Sequence, residues 1–475
     1  MTAGARNTLT VMLALIAALY AIALPGPFQF DDYATVAVDP GAQSVAAWRA
    51  NAGHHVRPLT KLTFTFSHAL GEQLDHVPMG HRLINLLIHL ATVAMFYVLG
   101  YRIARTCLPD LDTYSAGIAA VTAAALFGLH PLATEAVSYI SGRSMALGTL
   151  LAATSLWAYI RWRTAAGRIW LMTAMVACAG AMLARETAFI TPLLWLLWEI
   201  TRQQDNSANW SAQRLRQCGR YAAAPLMIIG SFAVWMLLHD RYAPLLDVSR
   251  RIAMHRLTEP SFTLAMQYFA SSLALLRYPT IDPDMAAAWM SSTHRWVIIT
   301  ILAGLMALAW HTRRTRPHLL LSALWVVLWL APVYAIPVRY DALAERHFYP
   351  AIWGILYALS VEGLLWSRRR HNGQKTYTAT AGVVALVLAV VTLVRVTDYR
   401  SEVALWEAAH RSAPDKVRVL NNLGYAYMEA GRWDEAHAVL TRAVQLDPRD
   451  INAQDNLLIA EEREFGPVRW KRRAD

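Results

Sequence analysis

Charge is what this chain has least of. Only 16% of its 475 residues are Asp, Glu, Lys or Arg, 56% are hydrophobic, and the mean hydropathy is +0.29. A soluble domain carries about 25% charged residues over its surface, so an ordinary soluble globular protein is excluded. Cysteine is nearly absent, with three in all. Cys178 falls in an apolar block, and Cys107 and Cys218 fall on what the charge pattern makes the cytoplasmic side, where disulfides do not persist. No metal-type cysteine spacing occurs. A Walker phosphate loop and a dinucleotide glycine fingerprint are also missing, which removes the common soluble nucleotide sites.

What the chain does have is apolar blocks. Residues 8–24, 83–99, 297–310, 319–336 and 378–394 each approach the roughly 20 residues that cross a bilayer. Between the blocks lie short Arg-rich loops: Arg161, Arg163 and Arg168; Arg202, Arg214, Arg216 and Arg220; Arg313, Arg314 and Arg316; Arg368, Arg369 and Arg370. Positive charge in short loops marks the cytoplasmic face. The net charge of +11 therefore sets topology, and no nucleic-acid partner is expected. Alternating these loops with the others predicts an all-α, polytopic helical membrane protein of about eleven transmembrane helices. Their spans are 8–24, 82–100, 116–130, 143–160, 169–184, 187–200, 222–239, 295–311, 319–337, 349–366 and 378–395.

The expected location is the inner (plasma) membrane, with the N-terminus inside and the C-terminus on the periplasmic side. The first block reads as a retained helix, although Ala21-Ile22-Ala23 loosely fits a cleavage site. The outer side receives the loops 25–81, 131–142, 240–294 and 338–348 and the corner at Arg185-Glu186. Within 240–294 the apolar run 262–276 reads equally as a surface helix or a re-entrant piece.

The tail changes character. Residues 1–397 form the membrane domain and 398–475 an extracytoplasmic helical one. Residues 417–450 place Leu423, Gly424, Tyr427, Ala436, Ala443 and Pro448 at tetratricopeptide positions, with Leu440 at the aromatic one. One repeat cannot bury both its faces. A preceding helix at 402–410, with Trp406, and a following one at 450–464 are expected to cover it. The plainer alternative is a capped helical hairpin without a binding role.

All the unusual polar residues fall on the outer side, where ionisable groups at a membrane edge are costly and point to function. Asp31-Asp32 follows the first helix. Two adjacent carboxylates suit a general base for an alcohol, oxygen ligands for a divalent metal, or a helix cap. Arg57 and Lys61, in the stretch His54-His55-Val56-Arg57-Pro58, suit phosphate binding or headgroup contact. His130-Pro131 with Glu135 sits at the end of one helix, and Arg143 opens the next. Arg185-Glu186 forms a charged break between apolar blocks. Glu345, Arg346 and His347 crowd the start of another helix. Acids beside cations around one outer vestibule suit sugar transfer from a lipid phosphate: a carboxylate activates the acceptor hydroxyl and cations stabilise the departing phosphate.

In order, these motifs resemble the transmembrane-and-tetratricopeptide O-mannosyltransferases and their bacterial relatives in the glycosyltransferase C superfamily. The matching residues are Phe30-Asp31-Asp32; Arg57-Pro58-Leu59-Thr60 with Leu62-Thr63-Phe64; His81 with Asn85-Leu86-Leu87-Ile88-His89; His130-Pro131 with Thr134-Glu135-Ala136-Val137 and Gly142-Arg143; Arg185-Glu186; Ala344-Glu345-Arg346 with Tyr349-Pro350; and Trp406 with Asn421-Asn422-Leu423-Gly424. The resemblance spans nearly the whole chain, least so in 240–294. It implies a GT-C-type membrane domain and an inverting transfer of a hexosyl or pentosyl unit from a polyprenyl-phosphate sugar. It implies Asp31 as the base, with Asp32 its partner, and a Ser or Thr of an exported protein, such as a pilin, as acceptor. It leaves Arg57, Lys61, His130, Glu135, Arg143, Arg185, Glu186, Glu345, Arg346 and His347 as donor-phosphate and substrate residues. No cofactor is required, and a divalent metal remains an open alternative. Two departures stand out: the chain has about one repeat rather than a long solenoid, and Arg185 stands where many relatives have Lys. The alternatives are the same chemistry on a glycolipid or cell-wall polymer, and a non-enzymatic membrane assembly platform recruited through the repeat.

Overall fold

A computed structural model describes residues 3–165, 167–202, 223, 226–236, 238, 261–283, 292–334 and 343–462. Among the described residues every regular element is helical. Helices fall at each of the eleven expected spans, from Ala3–Ala21 to Gly373–Thr397. Four are long and apolar enough to cross a bilayer: Val77–Cys107, Pro317–Tyr334, Glu345–Ser367 and Gly373–Arg400. A fifth arises if Thr113–Gly128 and Pro131–Ser138, bent by 59°, count as one broken span. Shorter apolar helices, Asn7–Ala21, Arg168–Ala184, Leu226–Met236 and Trp296–His311, complete the bundle. The chain is a polytopic helical membrane protein. The expected Arg214, Arg216, Arg220 and Cys218 and most of 240–294 lie outside the described residues.

The bundle is closed by aromatic packing. Phe96 of Val77–Cys107 stacks on Trp353 at 4.7 Å and meets Phe127 edge-on at 4.8 Å, geometries that suit the ring quadrupoles. Met12, Ile16 and Tyr20, four residues apart on the first helix, are buried, so that helix is packed into the bundle. His89, between Tyr349 Oη at 2.8 Å and Gly128 O at 3.2 Å, is a satisfied core group. Glu199 is buried between Arg163 (2.6 Å) and Arg202 (2.9 Å). Pro131 breaks the Thr113–Gly128 helix, as its missing N–H and ring require.

Two of the expected outer loops are structured. The stretch 25–81 contains a π-helical turn Tyr33–Ala37, short helices Pro40–Gln43 and Val45–Ala50, and the 16-residue helix Pro58–Gln73. The run 262–276 forms Ser261–Leu273, whose Ala265, Met266, Tyr268 and Phe269 are buried. Phe269 stacks on Phe348 at 4.8 Å, so this helix packs into the bundle instead of lying free at its surface.

The tail forms four helices: Glu402–Ser412, Val417–Glu429, Trp433–Leu446 and Ile451–Glu461. The middle pair is the repeat, and the flanking two cover it as expected. A Cβ at Gly424 would collide with the Leu440 side chain, so glycine sets how closely the two repeat helices cross. The tail is docked on the membrane domain. Lys416 Nζ meets buried Asp282 at 2.6 Å, Arg418 Nε meets it at 2.7 Å, and Tyr278 Oη donates to Asp398 at 3.0 Å. Gly424→Leu is expected to force the repeat helices apart at a cost of about 1–3 kcal/mol. Faster trypsin cleavage within 417–450, together with a lower thermal midpoint, would register it.

Candidate functional site

The site is built around two segments, 26–39 and 139–144. After the first helix the chain turns, and Phe30 adopts left-handed backbone at φ 47°, an uncommon and costly state for a large side chain. Asp31 and Asp32 follow, with Asp32 at the N-cap of the π-helical turn. Such turns are rare and often accompany function.

The two carboxylates have different surroundings. Asp32 is 0% exposed. Its oxygens accept from Ser141 N at 2.8 Å, Ser141 Oγ at 2.7 Å and Gln29 N at 3.2 Å. It makes no capping bond to its own turn. Burial pushes its carboxyl up to about 6, against the opposing pull of the Ser141 bonds and the Arg82 charge. Asp31 is half-buried. Its backbone N–H donates to Tyr139 Oη at 3.0 Å, and its carbonyl accepts from Thr35 Oγ1 at 2.7 Å. Its carboxylate interacts electrostatically with Tyr139 and Arg346.

Arg346 is held by a buried partner. Glu135, 0% exposed, accepts from Arg346 N at 2.8 Å and from Arg346 Nη1 at 2.5 Å. The guanidinium carbon lies 5.8 Å from the Tyr139 ring centre. Glu345 makes a separate set of contacts: it accepts from Tyr268 Oη and from Thr280 N at 2.7 Å, and lies 3.6 Å from Arg395. Arg395 also pairs with Asp398 at 2.9 Å.

A second cationic cluster adjoins the first through 139–144. Arg57, itself at φ 61°, pairs with Glu186 through two bonds of 2.7 and 2.6 Å. Arg57 Nη1 (3.5 Å) and Arg185 Nη1 (2.8 Å) both reach Ser144 Oγ, three residues after the serine that holds Asp32. Thr60 Oγ1 donates to Ala184 O at 2.8 Å, fixing the Arg57 helix against the Arg185 corner. Lys61 donates to Thr35 O at 3.2 Å and pairs with Asp39. Burial pulls its ammonium down to about 8.

The expected residues thus divide. Asp31, Asp32, Glu135 and Arg346 lie on one side of segment 139–144 and Arg57, Arg185 and Glu186 on the other, with Lys61 bonded to Thr35 and Asp39 and Glu345 in its separate set of contacts. Arg143, His130 and His347 are absorbed by packing. Arg143 donates to Asn85 Oδ1 at 2.6 Å, Ser67 Oγ at 2.8 Å, Thr63 O at 2.9 Å and His81 O at 2.8 Å, and sits 4.4 Å over Phe64. It braces three helices. His130 bonds Leu132 N and Leu273 O, both at 3.2 Å, and His347 packs edge-on against Tyr334. Sequence reasoning missed Tyr139, Ser141, Arg82 and Arg395. Arg82 donates to Ser138 O at 2.9 Å and Pro27 O at 2.7 Å, joining both site segments. A lone Arg395 in the apolar 25-residue helix Gly373–Thr397 was a readable signal; a serine or tyrosine in a loop carries none. Among the described residues no group of three or more His, Cys, Asp or Glu is placed to hold a metal.

The architecture defines the class: an all-α membrane protein with a polar cluster at the ends of its helices and one tetratricopeptide unit. A tetratricopeptide repeat model matches residues 417–450. The chain is similar to Protein O-mannosyl-transferase TMTC3 of Mus musculus, 24% identical over 439 residues, covering 84% of this chain and 45% of that protein. It is similar also to Tmtc3 of Drosophila melanogaster, 25% identical over 465 residues (84% and 49%), and to Tmtc2 of the same organism, 29% identical over 218 residues (42% and 22%). The chain therefore spans at most about half the length of these curated relatives. Their family agrees with the one read from the motifs. No solved structure matches.

The Asp32 environment yields a pH prediction. Its folded value, about 6, lies above the ordinary 3.8. The folded state then binds this proton more tightly than the unfolded one, so Asp32 adds stability as pH falls from 6 towards 4 and its ionisation costs stability above 6. Comparing thermal midpoints of wild type and Asp32→Asn between pH 4 and 7 should show the wild-type midpoint falling relative to that of the non-titrating variant as pH rises through 6. A pH-independent difference would contradict the buried, raised carboxyl.

Proposed function

We propose that this chain is a membrane glycosyltransferase that moves a monosaccharide, hexosyl or pentosyl, from a polyprenyl-phosphate donor to an extracytoplasmic Ser or Thr hydroxyl of an exported protein such as a pilin. Asp31 is the general base. The observation that carries this reading is the division within the diacidic pair. Asp32 is buried with its oxygens bonded to Ser141 and Gln29, while half-buried Asp31 stands beside Arg346. A base must reach solvent-borne substrate, and only Asp31 of the pair has exposure. The relatives' printed name, protein O-mannosyl-transferase, supports both the transfer and the protein acceptor.

In this mechanism Asp31 takes the acceptor's hydroxyl proton as the oxygen attacks the anomeric carbon. The bond from that carbon to the phosphate oxygen breaks, the configuration inverts, and polyprenyl phosphate leaves with an added negative charge. Arg57, Arg185 and Lys61, with Arg346 on the Asp31 side, supply the positive field in which that charge develops. Residues 1–397 are the catalytic membrane domain and 398–475 the periplasmic helical domain. This reading requires no cofactor besides the lipid-linked sugar, with a divalent metal on the diacidic pair as its open alternative.

Intact-mass comparison of the host's exported proteins tests this reading. Wild type, deletion and Asp31→Asn strains should differ by a sugar-sized mass on at least one protein, absent in both mutants. Unchanged protein masses with altered surface glycolipid would overturn the protein acceptor. Unchanged glycans of both kinds would overturn the enzyme reading in favour of an assembly platform.

A further inference from the structure

The diacidic segment is held from two directions. One is the segment 139–144 described above. The other arrives from about 370 residues further along the chain. Phe30 N donates to Glu402 Oε1 at 3.1 Å, and Gln29 Nε2 donates to Tyr399 O at 3.2 Å. The Phe30 ring meets Trp406 edge-on, with centres 5.4 Å apart. A Cβ at Gly26 would collide with Tyr399 O and with the Arg82 guanidinium, so the two chains approach at backbone distance. Phe30 is the residue immediately before Asp31, and it is the one with left-handed backbone.

We propose that Glu402 and Trp406 are positioning residues that clamp Phe30 in this conformation and so set where the Asp31 carboxylate stands. Each half of the clamp has a physical role. A carboxylate accepting a backbone N–H makes a charge-assisted bond, stronger than one to a neutral acceptor. Trp406, 2% exposed, supplies the wall against which the ring is fixed. Helix capping does not explain Glu402, because Ser401 already accepts the Ala404 N–H at 3.1 Å. Nor is the clamp isolated from the repeat. On the same helix Glu407 accepts from Tyr427 Oη at 3.0 Å and from Arg432 Nη1 at 3.2 Å. A continuous set of contacts thus runs from the repeat through Glu402–Ser412 to the residue before Asp31, and the tail becomes part of the catalytic unit.

The activity arm of the test rests on Asp31 acting as proposed; the structural arm does not. Full-length protein in nanodiscs is compared by amide exchange across residues 26–38, thermal midpoint and transfer kinetics, for wild type, Glu402→Ala, Glu402→Gln, Trp406→Phe and Trp406→Ala. Exchange is expected to rise in Glu402→Ala and Trp406→Ala and to stay near wild type in Glu402→Gln, whose amide oxygen still accepts the Phe30 N–H, and in Trp406→Phe. Transfer kcat should fall roughly 10- to 100-fold in the alanine variants, with donor KM within about twofold, because a small misplacement of a reacting group is enough to cost that much. Wild-type exchange in both alanine variants would overturn the clamp, as would equal loss of kcat and thermal midpoint in Glu402→Ala and Glu402→Gln. Raised exchange in the alanine variants, alongside a wild-type protein with no transfer activity, would instead leave the clamp standing and reject the enzyme reading.

Discussion

The burial of Asp32 is the constraint on which the rest of the site depends. A carboxylate taken out of water is costly unless its oxygens find donors, and the donors here are Ser141 N, Ser141 Oγ and Gln29 N. Meeting that need draws the segment after the first helix onto the segment before the Arg143–Ala165 helix. Asp31 is then delivered to the neighbourhood of Tyr139 and Arg346 by chain connectivity. Ser144, three residues past Ser141, brings Arg57 and Arg185 to the other side. One buried acid thus arranges a half-buried acid and two sets of cations.

Buried charge is matched with care elsewhere in the bundle. Glu135 with Arg346, Glu345 with Arg395, and Glu199 with two arginines each occupy sites with 0–1% exposure on the acidic side. Such pairs are weak arguments for net stability, since desolvation offsets much of the attraction. Removing one partner, however, leaves a charge stranded in low dielectric. The Glu135–Arg346 and Glu345–Arg395 pairs hold the segments around the polar site in place, and the proposed transfer needs its groups held within fractions of an ångström. The helical tail is docked on the bundle at Asp282, through Lys416 and Arg418, and at Phe30, through Glu402 and Trp406 of the helix that precedes the repeat.

Much of this was legible in the sequence, for identifiable reasons. Apolar runs of bilayer length and Arg-rich loops carry strong patterns, so the helix positions agree. The tail repeat, at 34 residues with small residues at 424, 436 and 443, is equally distinct. The ionisable residues of the site stand out because they are rare at membrane edges. Which of them gather around Asp31 and Asp32 and which brace the bundle was not legible. Arg143 and Arg57 look alike in sequence, and only packing distinguishes an arginine stacked on Phe64 with four acceptors from one paired to Glu186 near Ser144. Ser141 and Tyr139 are ordinary loop residues until the fold places them against Asp31 and Asp32. The helices within 25–81 are short and lack long apolar runs, so hydropathy passes over them.

Initial rates of Asp31→Asn in proteoliposomes, with a polyprenyl-phosphate sugar and the acceptor found in cells, test the central claim most directly. The amide keeps the carboxylate's shape but cannot accept the hydroxyl proton. A fall in kcat of roughly 10²–10⁴, with thermal midpoint and donor KM close to wild type, is the expected result. A variant that transfers sugar within a few-fold of wild type would show that Asp31 is not the base.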